Sequence, residues 1–213
     1  MKHQQRSPEQ TIAVIILAAG SSSRLGKPKQ LLHYQTETLI KHAVKTALQT
    51  SCSPIIVVSG FLHEELLAET KGFPVQLIHN PDWQKGMGSS IQTGITALNL
   101  LENPNQTDAV LILLCDQPLI TAEHLNKLIA GFYRHKRSIA ATGYAETQGV
   151  PAVFDRSLFP ILQSLPKNRG AQSLINQYQD QLIVVPFEGA AIDVDTGEDY
   201  FRLIKLAANQ HKT

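Results

Sequence analysis

The sequence predicts an α/β fold in which a mostly parallel, mixed sheet lies between helices, giving three α/β/α layers. Residues 12–17, Ile55–Ser59 and Ala109–Leu114 are almost wholly aliphatic, the pattern of strands buried on both faces. Stretches with apolar residues at helical spacing lie between them, and the connections are short, so strand–helix–strand units follow one another. A chain of 213 residues is long enough to bury one such sheet and marginal for two, and one domain over residues 1–213 is expected.

The first strand, 12–17, ends in a Gly/Ser-rich loop. Leu39, Ile40, Ala43, Val44, Ala47 and Leu48 then recur at helical spacing, with Thr36 or Thr38 as N-cap. Ile55–Ser59 is the second strand, followed by a helical stretch over 63–69. A third strand, 75–79, stops at Asn80-Pro81-Asp82, which is turn chemistry. Residues 89–101 form a helix with Ile91, Ile95 and Leu98 on one face, and Ala109–Leu114 is the central strand. Leu125, Leu128, Ile129 and Phe132 mark a helix begun at Thr121. Beyond Ser138 the alternation loosens. Strands are expected at 138–143, 150–154, 181–186 and 191–194 and helices at 155–163 and 171–178, before a last helix carrying Tyr200, Leu203, Ile204 and Ala207. An antiparallel insertion here would build a pocket beside the first half.

The formal charge of +1 leaves no global field to draw the chain to nucleic acid or a membrane, and neither is an expected partner. The run Arg134-His135-Lys136-Arg137 falls where a helix should end, and the helix dipole accounts for it. Two cysteines, Cys115 inside a strand-like run, make no disulfide framework, and the eight histidines show no zinc-ligand spacing. Residues 1–10 are polar and no apolar run approaches the ~18 residues of a membrane span, so a soluble, cytoplasmic protein is expected.

The segment Leu17-Ala18-Ala19-Gly20-Ser21-Ser22-Ser23-Arg24-Leu25-Gly26-Lys27-Pro28-Lys29-Gln30 combines flexible backbone, hydroxyls and three cations. Ligands of open α/β sheets bind at the C-terminal ends of strands, so it reads as an anion-holding loop in which Gly20 and Gly26 permit close approach. It is not a Walker A loop, because five residues separate the glycines and Pro28 follows Lys27, and no G-x-G-x-x-G fingerprint occurs. A plain solvated turn is the competing reading. Asp116, in Cys115-Asp116-Gln117-Pro118, falls at the same sheet edge, where it holds a divalent cation or satisfies turn amides. Asp193 and Asp195 would point to one face of the expected strand and, with Asp116, form an oxygen-rich site for Mg²⁺ or Mn²⁺. Alternatively, Asp195 caps the last helix. Gly86-Met87-Gly88-Ser89-Ser90 offers a second flexible loop at a helix start, suited to a base, ribose or phosphate. Lys167-Asn168-Arg169-Gly170 meets an acceptor phosphate or lies in solvent, and Trp83 covers a pocket or packs beneath a loop.

In this order, the motifs resemble those of the MobA/MocA-like nucleotidyltransferases, nearest the molybdenum cofactor cytidylyltransferase (MocA-like) branch, from Ile12 to about Leu206. The first loop is similar to L-A-A-G-x-S-x-R-x-G-x-x-K, with Gly20, Ser22, Arg24, Gly26 and Lys29 in register. Leu114 to Pro118 resembles a metal-binding D-x-P element, and Gly88, Ser89 and Ser90 a nucleotide-contacting loop. Asp193-Val194-Asp195-Thr196-Gly197-Glu198-Asp199 resembles a closing D-I-D-T-P-E-D in which Gly197 replaces proline. The resemblance implies a Rossmann-like nucleotidyltransferase fold. It also implies a Mg²⁺- or Mn²⁺-dependent enzyme moving CMP from CTP to the terminal phosphate of molybdopterin or the molybdenum cofactor, with release of pyrophosphate.

Carried onto this chain, the resemblance makes Leu17, Ala18, Ala19, Gly20, Ser22, Arg24, Lys29, Gly88, Ser89 and Ser90 nucleotide-binding. It makes Arg24, Lys29 and Asp116 catalytic, and Asp116, Asp193 and Asp195 metal-holding. Ala19 stands where guanylyltransferases of the family tend to carry glycine, which points to CTP. A molybdoenzyme or its chaperone is the implied protein partner. The alternatives are transfer to a sugar phosphate or another phosphorylated small molecule, and a non-catalytic nucleotide-binding chaperone of molybdoenzymes.

Overall fold

The computed structural model describes residues 11–22, 25–101 and 107–210. β1 (Ile12–Ala18) is buried at every position because it lies inside a seven-stranded sheet. The order is β5 (Gln76–His79), β4 (Ile55–Ser59), β1, β6 (Ala109–Leu114), β8 (Thr147–Asp155), β7 (Ile139–Tyr144), β9 (Leu182–Pro186), while β2 (His33–Tyr34) and β3 (Glu37–Thr38) pair in a separate two-stranded sheet. β5, β4, β1 and β6 are parallel, and Leu17 pairs with both Val58 and Leu114. β8 runs against β6 and β7, while β9 is parallel to β7. The sheet is therefore mixed and mostly parallel, with its antiparallel strand in the region where the sequence pattern loosens.

Side-chain alternation divides β1 between two cores. Val14, Ile16 and Ala18 pack with α1 (Leu39–Leu48), α2 (His63–Thr70) and α4 (Ala122–His135). Ala13, Ile15 and Leu17 pack with α3 (Met87–Leu101), α5 (Phe159–Gln163) and α6 (Gln172–Gln177). These two helical faces complete the three layers. Thr38 caps α1 and Thr121 caps α4, each accepting a main-chain amide. α4 ends at Lys136 in the left-handed region, and Arg137 donates to the Asp180 carbonyl, so the basic run serves as a helix end. α7 (Gly197–Gln210) closes a third, smaller cluster through Leu203 and Ala207 against Tyr34, Leu39 and Val194. Cys52 and Cys115 are buried free thiols. Among the described residues, no helix is long and apolar enough to cross a membrane.

Three expectations are corrected. Residues 191–194 form no strand, because Glu188–Ala191 is a 3-10 turn and the Val194 amide donates to the Asp116 carbonyl (3.1 Å). That bond draws the segment across the strand ends rather than into the sheet. The helix expected at 155–163 is split: Asp155 ends β8, and its carboxylate accepts the Ser157 amide to start a 3-10 turn before α5. α3 begins at Met87, two residues before the expected start at 89, so Met87 and Gly88 belong to the helix and not to the loop before it. The β7–β8 hairpin turns at Ala145 and Glu146, with φ of 45° and 58°, a conformation that Asn or Gly usually signals.

His124 on α4 is 2% exposed. Its Nε2 lies 2.8 Å from the Thr142 hydroxyl, which itself donates to the Pro151 carbonyl, so Nε2 carries the proton. Nδ1 is buried without a partner, and the ring stacks on Phe187 at 4.5 Å. Burial, then the charge of Lys127, lower its pKa to about 4. The unfolded chain takes up this proton near pH 6.5, so the stability linked to neutral His124 is present above 6.5 and is lost as pH falls towards 4. A loss of about 2 kcal/mol is expected between pH 7 and pH 5. Urea midpoints at the two pH values check this, and His124→Leu should shrink the difference.

Candidate active site

β1 and β6 are neighbours in register, so the chain leaves both strands at one edge of the sheet. The Cys115 amide donates back to the Leu17 carbonyl (3.3 Å), which keeps the two exits together. Between them is a pocket of about 290 Å³. Residues 17–21 line it from the end of β1 and its loop, Lys29 and Gln30 from the 3-10 turn Lys29–Leu31, Cys115 and Asp116 from the end of β6, and Trp83, Met87 and Ser90 from the α3 side. Most of the residues singled out in the sequence thus converge on one cavity.

Gln30, which sequence reasoning missed, shapes the loop. Its Nε2 donates to the Ala18 and Gly20 carbonyls at 3.0 and 2.6 Å, and its Oε1 accepts from the Ser22 hydroxyl at 3.3 Å. Ser22 has φ 56° and its hydroxyl oxygen accepts the Lys29 amide at 3.0 Å. Its hydroxyl therefore holds the loop's own fold. Only burial distinguishes Gln30 from any other polar residue, and no spacing rule reports burial. A Cβ at Gly20 would meet nothing within 4 Å, so the space before it is open to a ligand. Lys27 is exposed, and Arg24 lies outside the described residues.

The second loop is likewise braced from within. Asn80 Nδ2 donates to Ser89 Oγ at 2.9 Å and Ser90 Oγ at 3.1 Å, and Ser89 is 2% exposed. Ser90 keeps a place on the pocket wall, while Gly88 lies against main chain at 166–169. Trp83 both lines the pocket and rests on Gly60, where a Cβ would fall 2.6 Å from the Trp83 Cβ. Lys167 pairs with Asp82 at 2.6 Å.

Asp116 is buried at the end of β6, and its Oδ2 forms an ion pair with the Lys29 ammonium, which also reaches Asp195 Oδ1 at 3.0 Å. Asp116 Oδ1 is buried with no partner. Burial by itself favours loss of the Lys29 proton, but the charge of Asp116 and hydrogen bonds to both carboxylates outweigh it and hold the pKa above the ordinary lysine value. Partial desolvation, then the charge of Asp116, push Asp193 up to about 6. Asp193 is exposed, so water tempers that effect.

Among the described residues no three His, Cys, Asp or Glu side chains are grouped to hold a metal, and the Lys29 ammonium bridges Asp116 and Asp195. Residues 193–195 are not a strand, so strand alternation is not what places Asp193 and Asp195 beside each other. The cap of α7 is Thr196. Thr196 Oγ1 accepts the Asp199 amide (3.2 Å) while Asp199 Oδ2 accepts the Thr196 amide (2.9 Å), a reciprocal capping box. Asp116 and Asp195 together still fit a divalent ion shared with substrate. Both donate oxygen, one oxygen of Asp116 lacks a partner, and Mg²⁺ is commonly held by one or two carboxylates plus phosphates.

The sequence profile described as the MobA-like NTP transferase domain matches residues 14–182. The chain is 31% identical over 199 residues to a nicotine blue oxidoreductase of Paenarthrobacter nicotinovorans, covering 89% of this chain and 95% of that one. It is 33% identical over 121 residues to the molybdenum cofactor cytidylyltransferase of Escherichia coli (strain K12), covering 55% and 57%. Among solved structures, the Mycobacterium tuberculosis Rv0371c homologue from Mycobacterium sp. strain JC1 superposes with a TM-score of 0.81 at 30% identity, over 93% of this chain and 98% of that one. Rv0371c in complex with manganese gives 0.73 at 25% identity, over 92% and 99%.

Proposed function

The chain belongs to the MobA-like NTP transferase family and is a nucleotidyltransferase of that type; from that premise we propose that it moves CMP from CTP to the terminal phosphate of molybdopterin or the molybdenum cofactor, with release of pyrophosphate. The observation that carries this reading is the meeting of Asp116 and Lys29 on the wall of the pocket that residues 17–21 line. A carboxylate for a metal ion and an ammonium for phosphate, side by side, are what transfer from a metal-bound triphosphate requires. Ala19 and the likeness to a molybdenum cofactor cytidylyltransferase over about half of each chain support the choice of CTP and of acceptor.

In this reading the loop fixed by Gln30 seats the triphosphate, and Lys29 and Arg24 offset the charge that gathers on the departing pyrophosphate. Asp116 and Asp195, with Asp193 in support, would hold Mg²⁺ or Mn²⁺, which supplies charge stabilisation at phosphate oxygens. The manganese-bound neighbour supports that class of ion. An oxygen of the acceptor phosphate attacks the α-phosphorus, and the bond from that phosphorus to the pyrophosphate oxygen breaks. Because the attacking phosphate is already anionic, no general base is assigned. Positioning and charge supply the rate. Cytoplasmic location and delivery of the product to a molybdoenzyme or its chaperone complete the proposal.

The relative named as an oxidoreductase is similar over most of the chain and defines the competing outcome. The test incubates the protein with Mg²⁺ or Mn²⁺, each of the four NTPs and molybdenum cofactor, measures pyrophosphate and identifies the product by mass. Cytidylylated cofactor with one pyrophosphate per product is expected. Preference for GTP would overturn the cytidylyl assignment, and activity with sugar phosphates alone would overturn the acceptor. Turnover of nicotine blue without pyrophosphate release would replace transfer by redox chemistry.

A further inference from the structure

We propose that the Lys29 ammonium is a built-in competitor for the divalent cation, clamping Asp116 and Asp195 in the ligand-free protein so that a metal binds tightly only together with a triphosphate. The inference rests on the transferase reading above for the triphosphate, but not on which nucleotide or acceptor is used.

Lys29 Nζ donates to Asp116 Oδ2 and to Asp195 Oδ1 (3.0 Å) at once. It thereby stands where a bridging cation would stand. A divalent ion held by the same two carboxylates would meet the Lys29 charge at close range. The side chains of Lys29 and Asp116 are only 18% and 10% exposed, so water screens that repulsion poorly. Ammonium and metal therefore exclude one another on these oxygens.

Two further observations make the exclusion an exchange rather than a permanent block. Asp116 Oδ1 is buried with no partner, so the clamp satisfies one oxygen of that carboxylate and leaves the other to a ligand. The Lys29 main chain is fixed by its amide on Ser22 Oγ (3.0 Å), and the residue lines the pocket. Rotation of the side chain alone thus carries Nζ from the carboxylates into the space beside residues 17–21. Triphosphate oxygens there would replace the carboxylates as its partners and free both for the metal. Linkage then makes the effect mutual: triphosphate strengthens metal binding, and metal strengthens triphosphate binding.

The test measures Mn²⁺ binding to the nucleotide-free full chain by electron paramagnetic resonance, for the wild type, Lys29→Met, Lys29→Gln and Lys29→Arg, with circular dichroism melting to establish folding. Lys29→Met and Lys29→Gln should bind Mn²⁺ on the order of tenfold more tightly than the wild type, a coupling of ordinary size. Lys29→Arg, which keeps the charge, should stay weak, and adding Asp195→Asn to Lys29→Met should remove the gain. Equal or weaker Mn²⁺ binding by the folded Met and Gln variants overturns the clamp. The unmodified protein gives an independent readout in the lysine ¹⁵N spectrum, where the Lys29 ammonium signal should shift on saturation with Mg²⁺ and triphosphate. No shift overturns the proposal even if the variants fail to fold. A protein that accepts no NTP would sink the transferase reading, while the nucleotide-free Mn²⁺ measurement would still decide for or against the clamp.

Discussion

Asp116→Asn should lower kcat/KM for pyrophosphate release by on the order of 10³ while leaving the chain folded. The substitution keeps the shape of the side chain and removes its charge, so the site loses both a metal oxygen donor and the partner that orders Lys29. The fold does not depend on that charge. The bond that draws residues 192–196 over the strand ends goes from the Val194 amide to the main-chain carbonyl of Asp116, which asparagine retains. One carboxylate oxygen of Asp116 already lacks a partner, and neutralising the group relieves its repulsion of Asp193. The melting temperature should therefore move little, and the pKa of Asp193 should fall from about 6 towards the ordinary carboxylate value. An NMR titration of Asp193 in the variant reads that shift directly. Asp193→Asn should cost far less activity, because Asp193 is exposed and Lys29 bridges Asp116 and Asp195 instead. A loss below about tenfold for Asp116→Asn would remove the residue from the catalytic site.

Where burial on both faces leaves a continuous apolar run, as in 12–17 and Ala109–Leu114, the sequence reports the strand directly, and the register of β1 with β6 then brings the two loop motifs to one edge. The pocket was legible for that reason. The features that escaped are those decided by particular hydrogen bonds rather than by pattern. Residues 191–194 carry strand composition, yet the Val194 amide has its partner on Asp116 and not on a neighbouring strand. Asp195 is the cap that the sequence suggests for α7, yet the reciprocal bonds of Thr196 with Asp199 make Thr196 the cap. Gln30 has no motif position of its own, although it fixes the Ala18 and Gly20 carbonyls. Hydroxyl-rich loops at a strand end and at a helix start suit anions, which makes Ser22 and Ser89 look like ligand hydroxyls in the sequence. In the structure those hydroxyls are engaged with Gln30 and Asn80. Sequence shows which polar groups stand near a site, whereas the structure shows which of them the fold already uses.

Gly88→Ala is expected to destabilise the protein by about 2–3 kcal/mol, a fall of several degrees in melting temperature for a chain of this size. The added Cβ would lie 2.2 Å from the Pro166 carbonyl oxygen, 2.7 Å from that of Arg169 and 3.0 Å from that of Lys167. All three obstacles are main chain, so no side-chain rotation relieves the contact. The segment is also tied to α3 where it would have to retreat: the Ser89 amide donates to the Lys167 carbonyl at 3.2 Å, and Gln92 Nε2 donates to the Leu165 carbonyl at 2.6 Å. A shift of about 1 Å needed to reach ordinary contact would stretch both bonds. Loss of stability should therefore be accompanied by a higher KM for the nucleotide, because Met87 and Ser90, on either side of Gly88, line the pocket. Gly20→Ala separates the two effects. Its Cβ meets nothing within 4 Å, so the melting temperature should be nearly unchanged, and any loss would fall on nucleotide binding alone. If Gly88→Ala melts like the wild type while Gly20→Ala does not, the packing of the α3 start against 166–169 is not what holds this wall of the pocket.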